Sequence, residues 1–353
     1  MGSNRPATIA EVAKAAGVSV ATVSRVVNGN YPVKPETRTR VQEAIKELKY
    51  VPNIQARELN TRKSKTIGVV VPSLHNMFFA QVIDGIEERV RKDGYSLLLN
   101  CAKNDPAQEM ECLTAFVSRN VAGVIVISPN TEGLKTDFYE NLVQLMPLVF
   151  INAYHHVPGA CYVANDEAVG TYQALSYLYK LGHRRILFVR GDHSDSYEVK
   201  EQVFHRFVQE KELDEHGLVV NIGAGNNVET VDRTTEQLQP LLKSLKVTAI
   251  LCCNDMMAVG CLNACKREGR RVPEDISIIG YDNTSLSRFV EPKLTTMDQN
   301  MYQLGANAAE MLASKIEGGP NKRVVLDNVL IKRESTGPTT DSHVLPTWQE
   351  SID

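Results

Sequence analysis

Residues 8–29 read TIAEVAKAAGVSVATVSRVVNG, and this stretch decides how the amino-terminal part of the chain folds. Thr8 stands where a side-chain oxygen caps a helix, and Glu11, three residues on, completes a capping box before VAKAA. Gly17 ends that helix, because the left-handed turn a tight corner needs costs glycine little. Ser19 caps a second helix, VATVSRVVN, with Val20, Val23, Val26 and Val27 at helical spacing. Two short helices joined by AAGVS make a helix-turn-helix pattern. Its second helix would offer Ser19, Val20, Ala21 and Thr22, then Arg25 a turn later, to a DNA major groove. Arginine pairs bidentately with guanine, whereas valine and alanine touch only thymine methyls and base edges. An ordinary helical cap with a solvated basic face is the alternative reading of this pattern alone.

Outward from that stretch, Asn28-Gly29-Asn30-Tyr31-Pro32 breaks the second helix. Pro35 suits the first turn of a third, ETRTRVQEAIKELKY, whose Val41, Ala44, Ile45 and Leu48 share one face. Pro52 stops it, and NIQARELNTRKSK follows as a polar, basic connector. From Thr66 short apolar runs alternate with amphipathic stretches such as AQVIDGIEERVRKDG and EAVGTYQALSYLYKLG. The runs are TIGVVVPS, YSLLLNCA, VAGVIVIS, PLVFINA, RRILFVRG, VTAILCCND and ISIIGYDN. Continuous apolar strands between helices imply parallel sheets covered on both faces. Seven such units over some 270 residues exceed one small sheet, so the reading is α/β with two subdomains.

Length and charge agree. The 353 residues, 43% of them apolar, suffice for two to three domains with real cores. The net charge of -3 hides an asymmetry. Residues 1–66 hold 12 basic side chains against 5 acidic, a surplus of +7, while the remaining 287 hold 27 against 37 and carry -10. A cationic head on an acidic body suggests a polyanion partner at one end. No apolar run reaches the roughly 18–20 residues that span a bilayer. MGSNRPATIAEV lacks the apolar segment of a secretory signal, and Pro6 sits where myristoylation wants Ser or Thr. The expectation is therefore a cytoplasmic protein whose seven cysteines are reduced.

TIAEVAKAAGVSVATVSRVVNG, VKPETRTRVQEAIKELKYVPN and ARELNTRKSKTIGVVVP together resemble the lactose/galactose-repressor (LacI/GalR) family, and the resemblance runs from about Thr8 to Thr336. It implies that Val20, Ala21 and Arg25 read bases, with Thr8, Ser19, Thr22, Ser24, Asn28 and Thr37 near phosphates, where contacts position the head but carry little sequence information. Capping a helix, or simply facing water, is the other reading of Thr22, Ser24 and Thr37. ARELN matches the family's hinge helix, with Leu59 wedged into the minor groove at the central base step and Ala56 and Asn53 lining the groove. A helix of about nine residues is too short to be stable alone in water, which is what makes a switch of it.

The implied organisation is residues 1–51 as the helix-turn-helix head, 52–65 as the hinge helix and linker, 66–336 as a core similar to periplasmic sugar-binding proteins, and 337–353 as a polar tail. Within the core, one subdomain takes about 66–165 and 298–327, the other about 166–296 and 328–336. Ligands bind such folds at the carboxyl ends of strands. There, Phe78 and Phe79 suit stacking on a ring, although one of them could be plain core, and Asn76 stands beside them. Asn152 ends PLVFINA, and the resemblance points to Asp255 at the end of ILCCND as the acceptor for effector hydroxyls, followed by Asp282 or Asn283 in GYDN. A helix cap is the ordinary alternative for those three. In KEQVFHRF, Lys200 takes the place of an arginine that forks onto ligand oxygens in many sugar-responsive members, and Val203 replaces a glycine. Lysine is a point charge without that planar fork, so phosphorylated or carboxylated effectors come into view, with Arg190 and His193 as further positive charge.

The remaining signals are weak. Cys252 and Cys253 are adjacent in a strand and point to opposite faces, so a shared metal or disulfide is implausible, and all seven cysteines read as small core residues. His155-His156 reads as a loop at the cleft mouth, His183 as a structural hydrogen-bonder, and Gly223, Gly225 and Asn226 as a turn. No nucleophile–base, phosphate-loop or metal-protease pattern marks an enzyme, and no cofactor is expected. The reading is a homodimeric repressor on a pseudo-palindromic double-stranded DNA operator, controlled by a sugar, sugar phosphate, sugar acid or nucleobase in the cleft, without membrane association. Its rival is a plain sugar-binding protein whose head is incidental.

Overall fold

The computed structural model describes residues 5, 7–29, 31–51, 64–213 and 218–339. They fall into two units, residues 1–64 and 65–353. The first unit holds helices α1 (Ile9–Ala16), α2 (Val20–Asn28) and α3 (Pro35–Glu47). Thr8 accepts from the Glu11 amide at 3.3 Å while the Glu11 carboxylate accepts from the Thr8 amide at 2.7 Å. That reciprocal pair fixes the start of α1. The Thr8 amide, with Arg5 beside it, holds the Glu11 carboxyl down at about 2. Gly17 follows at φ 63°, a conformation most side chains resist, and turns the chain into Ser19, which caps α2. Val12, Val23 and Val41, one from each helix and all fully buried, meet at the centre of this small core.

The second unit contains two six-stranded sheets. In the first, strands β1 (Thr66–Val71), β2 (Ser96–Cys101), β3 (Gly123–Ile127), β4 (Leu148–Ile151), β5 (Cys161–Asn165) and β11 (Arg323–Leu326) lie in the order β11-β5-β4-β3-β1-β2, all parallel. In the second, β6 (Ile186–Arg190), β7 (Val219–Asn221), β8 (Ala249–Cys252), β9 (Ser277–Asp282), β10 (Thr295–Asp298) and β12 (Val329–Ile331) lie in the order β12-β10-β9-β8-β6-β7. Only the β10–β12 pair within it is antiparallel. Alternate residues of β1 show why the strands read as unbroken apolar runs. Val69 and Val71 join one core, Val70 the core on the opposite face. Five strands lie outside the apolar runs of the sequence: β5, β7, β10, β11 and β12. β7 and β12 are three residues long, and β11 alternates exposed with half-buried positions, so none carries a continuous apolar signal.

The chain passes between the sheets three times, after β5, after β10 and after β11. These crossings are tied to one another. Asn165 Nδ2 donates to the Gln299 carbonyl at 2.7 Å, Asn300 Nδ2 to the Asp327 carbonyl at 2.8 Å, and Asn328 Nδ2 to the Asp166 carbonyl at 3.1 Å. After the second crossing, helix Met301–Ile316 returns to cover the first sheet and packs on helix Met77–Lys92. Their backbones touch through Gly85 and Gly305. A Cβ on Gly85 would run into the Tyr302 carbonyl, and one on Gly305 into the Val82 carbonyl.

Backbone obstacles cannot rotate away as side chains do. Replacing Gly305 with alanine should therefore destabilise the second unit by about 1–3 kcal/mol. A urea melt is the check, and an unchanged midpoint would mean that the helices slide apart freely.

Candidate functional site

The first candidate surface is the outer edge of α2. Ser19 accepts from the Thr22 amide at 3.2 Å, and its hydroxyl also meets that of Thr22 at 2.9 Å, so both side chains are engaged in starting the helix. Asn28 Nδ2 donates to Ser24 Oγ at 3.1 Å. Between these pairs stand Val20, 45% exposed, Ala21 and Arg25, also exposed. The Arg25 guanidinium lies 5.4 Å from the centre of the Tyr31 ring. The inner residues of the same helix, Val23 and Val26, belong to the core. Thr8 is occupied by its capping box, and Thr37 is half-buried near the start of α3. Asn53, Ala56 and Leu59, with the proposed hinge helix, lie outside the described residues.

The second candidate site is a cleft between the two sheets of the second unit, lined where their strands end. Pro72 follows β1, Ser128 and Asn130 follow β3, Asn152 follows β4, Asn254 comes just after β8, Asp282 ends β9, and Gln299 follows β10. Both sheets have the same order around their first strands, so chain reversal opens a crevice at the carboxyl edge of each. Asn76, Phe78, Phe79, Asn152, Lys200 and Asp282, all expected from the sequence, meet here. Asn76 caps helix Met77–Lys92 through the Phe78 amide at 2.9 Å and reaches across to Asn226 Oδ1, also at 2.9 Å. Phe78 and Phe79 both line the cleft and both belong to the core, with ring centres 5.3 Å apart, edge to face. Asn152, held at φ 52°, accepts from the Asn165 amide at 3.0 Å.

Three expected residues are not part of this lining, and each has a physical reason. Asp255 points beneath it. Its carboxylate accepts from the Thr284 amide at 2.7 Å, the Thr284 hydroxyl at 2.8 Å and the Thr296 hydroxyl at 2.7 Å. It thus bolts helix Asp255–Arg267 to the second sheet, and burial raises its carboxyl above the usual range. The residue before it, Asn254, caps that helix and faces the cleft instead. Arg190 is turned away into ion pairs with Glu198, at 2.5 Å, and Glu201. Asn283 accepts from Arg333 at 2.6 Å and donates to Asp298 at 2.8 Å behind the strand ends. Conversely Cys253, read as plain core, is a cleft-lining residue. Cys252 packs its sulfur 3.4 Å from that of Cys261. His183 bonds Thr248 and the Gly337 carbonyl, both at 3.0 Å, and burial lowers its pKa.

Sequence reasoning missed much of the lining, above all Glu109, Glu167, Asp195, Asn226 and Gln299. Glu167 is 4% exposed and sits 3.4 Å from Lys200, whose ammonium also donates to the Cys253 carbonyl at 3.3 Å and lies 3.9 Å from the centre of the Tyr281 ring. Glu109 receives the Tyr139 hydroxyl at 2.5 Å, and burial raises its carboxyl. Asn226, read only as part of a turn, carries much of the traffic across the cleft. It accepts from Asn76 and, through its carbonyl, from the Ser73 hydroxyl at 2.6 Å. Thr131 reaches Asp195 at 2.5 Å, and the Tyr154 hydroxyl reaches Glu167. The rule that found Asn152, a polar residue directly after a strand, would also have found Ser128, whereas Gln299 follows β10, which carries no strand signal in the sequence.

A two-lobed core with polar strand ends around a cleft, carried behind a helix-turn-helix unit, defines a ligand-binding regulator by its parts. Comparison with known proteins agrees. Residues 8–53 match the family described as bacterial regulatory proteins, lacI family, and residues 175–336 the periplasmic binding protein-like domain. The HTH-type transcriptional repressor PurR of Pasteurella multocida (strain Pm70) is 35% identical over 323 residues, covering 91% of this chain and 95% of its own. Among solved structures, the lac repressor dimer bound to operator and the anti-inducer ONPF has a TM-score of 0.82 at 27% identity, covering 94% of this chain and all of that one. A complex of the transcriptional regulator CelR with cellobiose has a TM-score of 0.69 at 28% identity, with the same coverage. The chain belongs to the lacI family of bacterial regulatory proteins.

Since Asp255 satisfies three buried donors away from the cleft, Asp255→Ala should lower the stability of the second unit by about 3 kcal/mol. Thermal melting checks this; a variant as stable as the parent would return Asp255 to the candidate ligand contacts.

Proposed function

We propose that this chain represses transcription by binding a pseudo-palindromic DNA operator as a homodimer, and that a small molecule in the cleft sets its operator affinity. The observation that carries the reading is the exposed edge of α2. Val20, Ala21 and Arg25 face outward from a helix whose other side is core, on a unit with a surplus of positive charge. An exposed valine beside an arginine gains nothing in water, but in a major groove the two read thymine methyls and guanine. Ser19, Thr22, Ser24, Asn28 and Thr37 would set the register against phosphates, with Thr8 closing the first helix beside them. Two heads need a two-fold axis to match a palindrome, and dimerisation through the core supplies one.

The coupling runs through closure. Bonds from Ser73 and Asn76 to Asn226, from Thr131 to Asp195 and from Tyr154 to Glu167 join the two walls of the cleft. A ligand that touches both walls favours the closed arrangement by the difference of its affinities for the two states, and no more. The connector, with Leu59 as minor-groove wedge and Asn53 and Ala56 lining the groove, would carry the change to the heads. Operator and effector must then alter one another's affinity by the same factor. The relatives' descriptions support this division of labour: a transcriptional repressor, a repressor bound to operator, and a regulator bound to cellobiose. The protein then works by binding rather than turnover, on DNA in the cytoplasm. Among the described residues no helix is long and apolar enough to cross a membrane.

Fluorescence anisotropy of the full chain on genomic operator fragments tests the reading. Arg25→Ala should weaken specific binding by about tenfold or more while changing binding to random duplex far less. Leu59→Ala should weaken operator binding by a similar factor, because the kink is lost. Affinity for any duplex should fall steeply with salt as counterions are released. If Arg25→Ala and the parent discriminate operators equally, α2 is not the reading helix. If no duplex is retained at low salt, the repressor reading fails altogether.

A further inference from the structure

Glu109, Glu167, Asp195 and Asp282 line the cleft, against Lys200 and the rim residue His193. The charge on Lys200 is already committed. Its ammonium pairs with Glu167, donates to the Cys253 carbonyl and rests against the Tyr281 ring. Among the described residues no ion pair reaches Glu109, Asp195 or Asp282. Glu109 is nevertheless well provided with neutral donors, from Tyr139 at 2.5 Å and the Asn130 amide at 3.2 Å. Asp195 is only partly buried and receives the Thr131 hydroxyl.

Asp282 is different. It is 4% exposed, receives the Gln299 amide at 2.5 Å on one oxygen, and has only a long 3.4 Å contact from Asn76 on the other. Gln299 in turn is 3% exposed and keeps its Oε1 without a donor. Asn165, Thr171 and Asn328 also hold buried oxygens without donors, but Gln299 is the one of the four that lines the cleft. Side by side, then, stand a half-used buried carboxylate and an unused buried amide oxygen. Both accept, and neither has a donor in the protein to spare. A buried carboxylate is costly unless its charge is met. Burial, with Asp255 nearby, pushes the Asp282 carboxyl well above the usual carboxylate range, and the Lys200 ammonium, beyond ion-pair distance, offsets this only in part. A proton on Asp282 would meet the charge but supply a single donor. An ammonium meets the charge and brings three donors, enough for Asp282 and Gln299 together.

We infer that the cleft takes a polyhydroxylated ring bearing a free amine, an amino sugar, with its ammonium seated between Asp282 and Gln299. The inference rests on reading the cleft as the effector site. The ring lies against Phe78 and Phe79, and its hydroxyls meet Asn152. A phosphate or carboxylate in the same place faces an acidic lining whose one lysine among the described residues is paired with Glu167, an arrangement that disfavours anions.

Isothermal titration of the full chain tests this with free 2-amino-2-deoxyhexoses of gluco, galacto and manno configuration. Each is compared with its N-acetyl derivative, its parent hexose and the hexose 6-phosphate. One free amine should bind about tenfold or more tighter than its three counterparts. That advantage should shrink as salt rises from about 0.05 to about 0.5 M. Asp282→Asn, which keeps the shape and removes the charge, should cut the advantage to about threefold or less. Should that variant fail to fold, the selectivity and salt dependence of the unaltered chain decide the matter. If a hexose, N-acetyl or phosphate compound binds as tightly as the amine, or if no amine binds, the assignment is overturned. Operator binding measured with the tightest ligand separates the two readings. A non-amine compound that alters operator affinity leaves the effector cleft standing and removes the amine. An amine that binds with the expected selectivity and leaves operator affinity unchanged keeps the ammonium site and removes the effector role.

Discussion

A strand covered on both faces spends its backbone polar groups on its neighbours and its side chains on the two cores. In such a sheet, polar side chains that can meet a ligand gather where strands stop. β1 shows the constraint, with five consecutive buried positions followed by Pro72 and Ser73 at the cleft wall. β3, β4, β8 and β9 repeat it with Ser128, Asn152, Asn254 and Asp282. Because two such sheets bring their carboxyl edges together, hydrogen-bonding groups collect in one place. The specificity of the cleft is therefore written in a handful of residues at strand ends, and the cores beneath them are free to be merely apolar and well packed.

How much of this was legible follows from the range over which each feature is decided. Thr8, Glu11, Gly17 and Ser19 act within a few residues of themselves, so the first two helices and their turn could be read directly and are found in place. The apolar strands were legible for the same reason, being long enough to stand out. The cleft was only half legible. Position at a strand end says that a residue is near the site, but not to which side of the sheet edge its side chain turns. Asn254 and Asp255 are neighbours, yet one faces the cleft and the other is locked between Thr284 and Thr296. Those partners arrive 29 and 41 residues later, and nothing local announces them. Arg190 was misread for a related reason. Glu198 and Glu201 come from the helix that follows its strand, and they capture the guanidinium before a ligand could.

Lys200 illustrates why residue type alone is a poor guide to a site's charge preference. Taken by itself, a lysine in place of an arginine suggests an anionic ligand. In its surroundings it neutralises Glu167, and what remains of the cleft is acidic. The sign of a pocket is a property of all its charges after their mutual pairing, and a sequence shows the charges without the pairing.

The interleaving of the two sheets has a consequence for biosynthesis. Residues 323–326 supply the edge of the first sheet and residues 329–331 the edge of the second, while residues 301–316 cover one face of the first. A ribosome emits these segments after every other strand of the two sheets. Until they emerge, one face of the first sheet, including Ile67, Val69 and Val71, lacks part of its cover, and neither sheet has its final strand. Chains truncated before this point would carry exposed apolar surface and open strand edges, which are features that chaperones and proteases recognise. The amino-terminal head has its own core and can be complete long before. Only a chain translated past residue 331 acquires both complete sheets of the body behind that head.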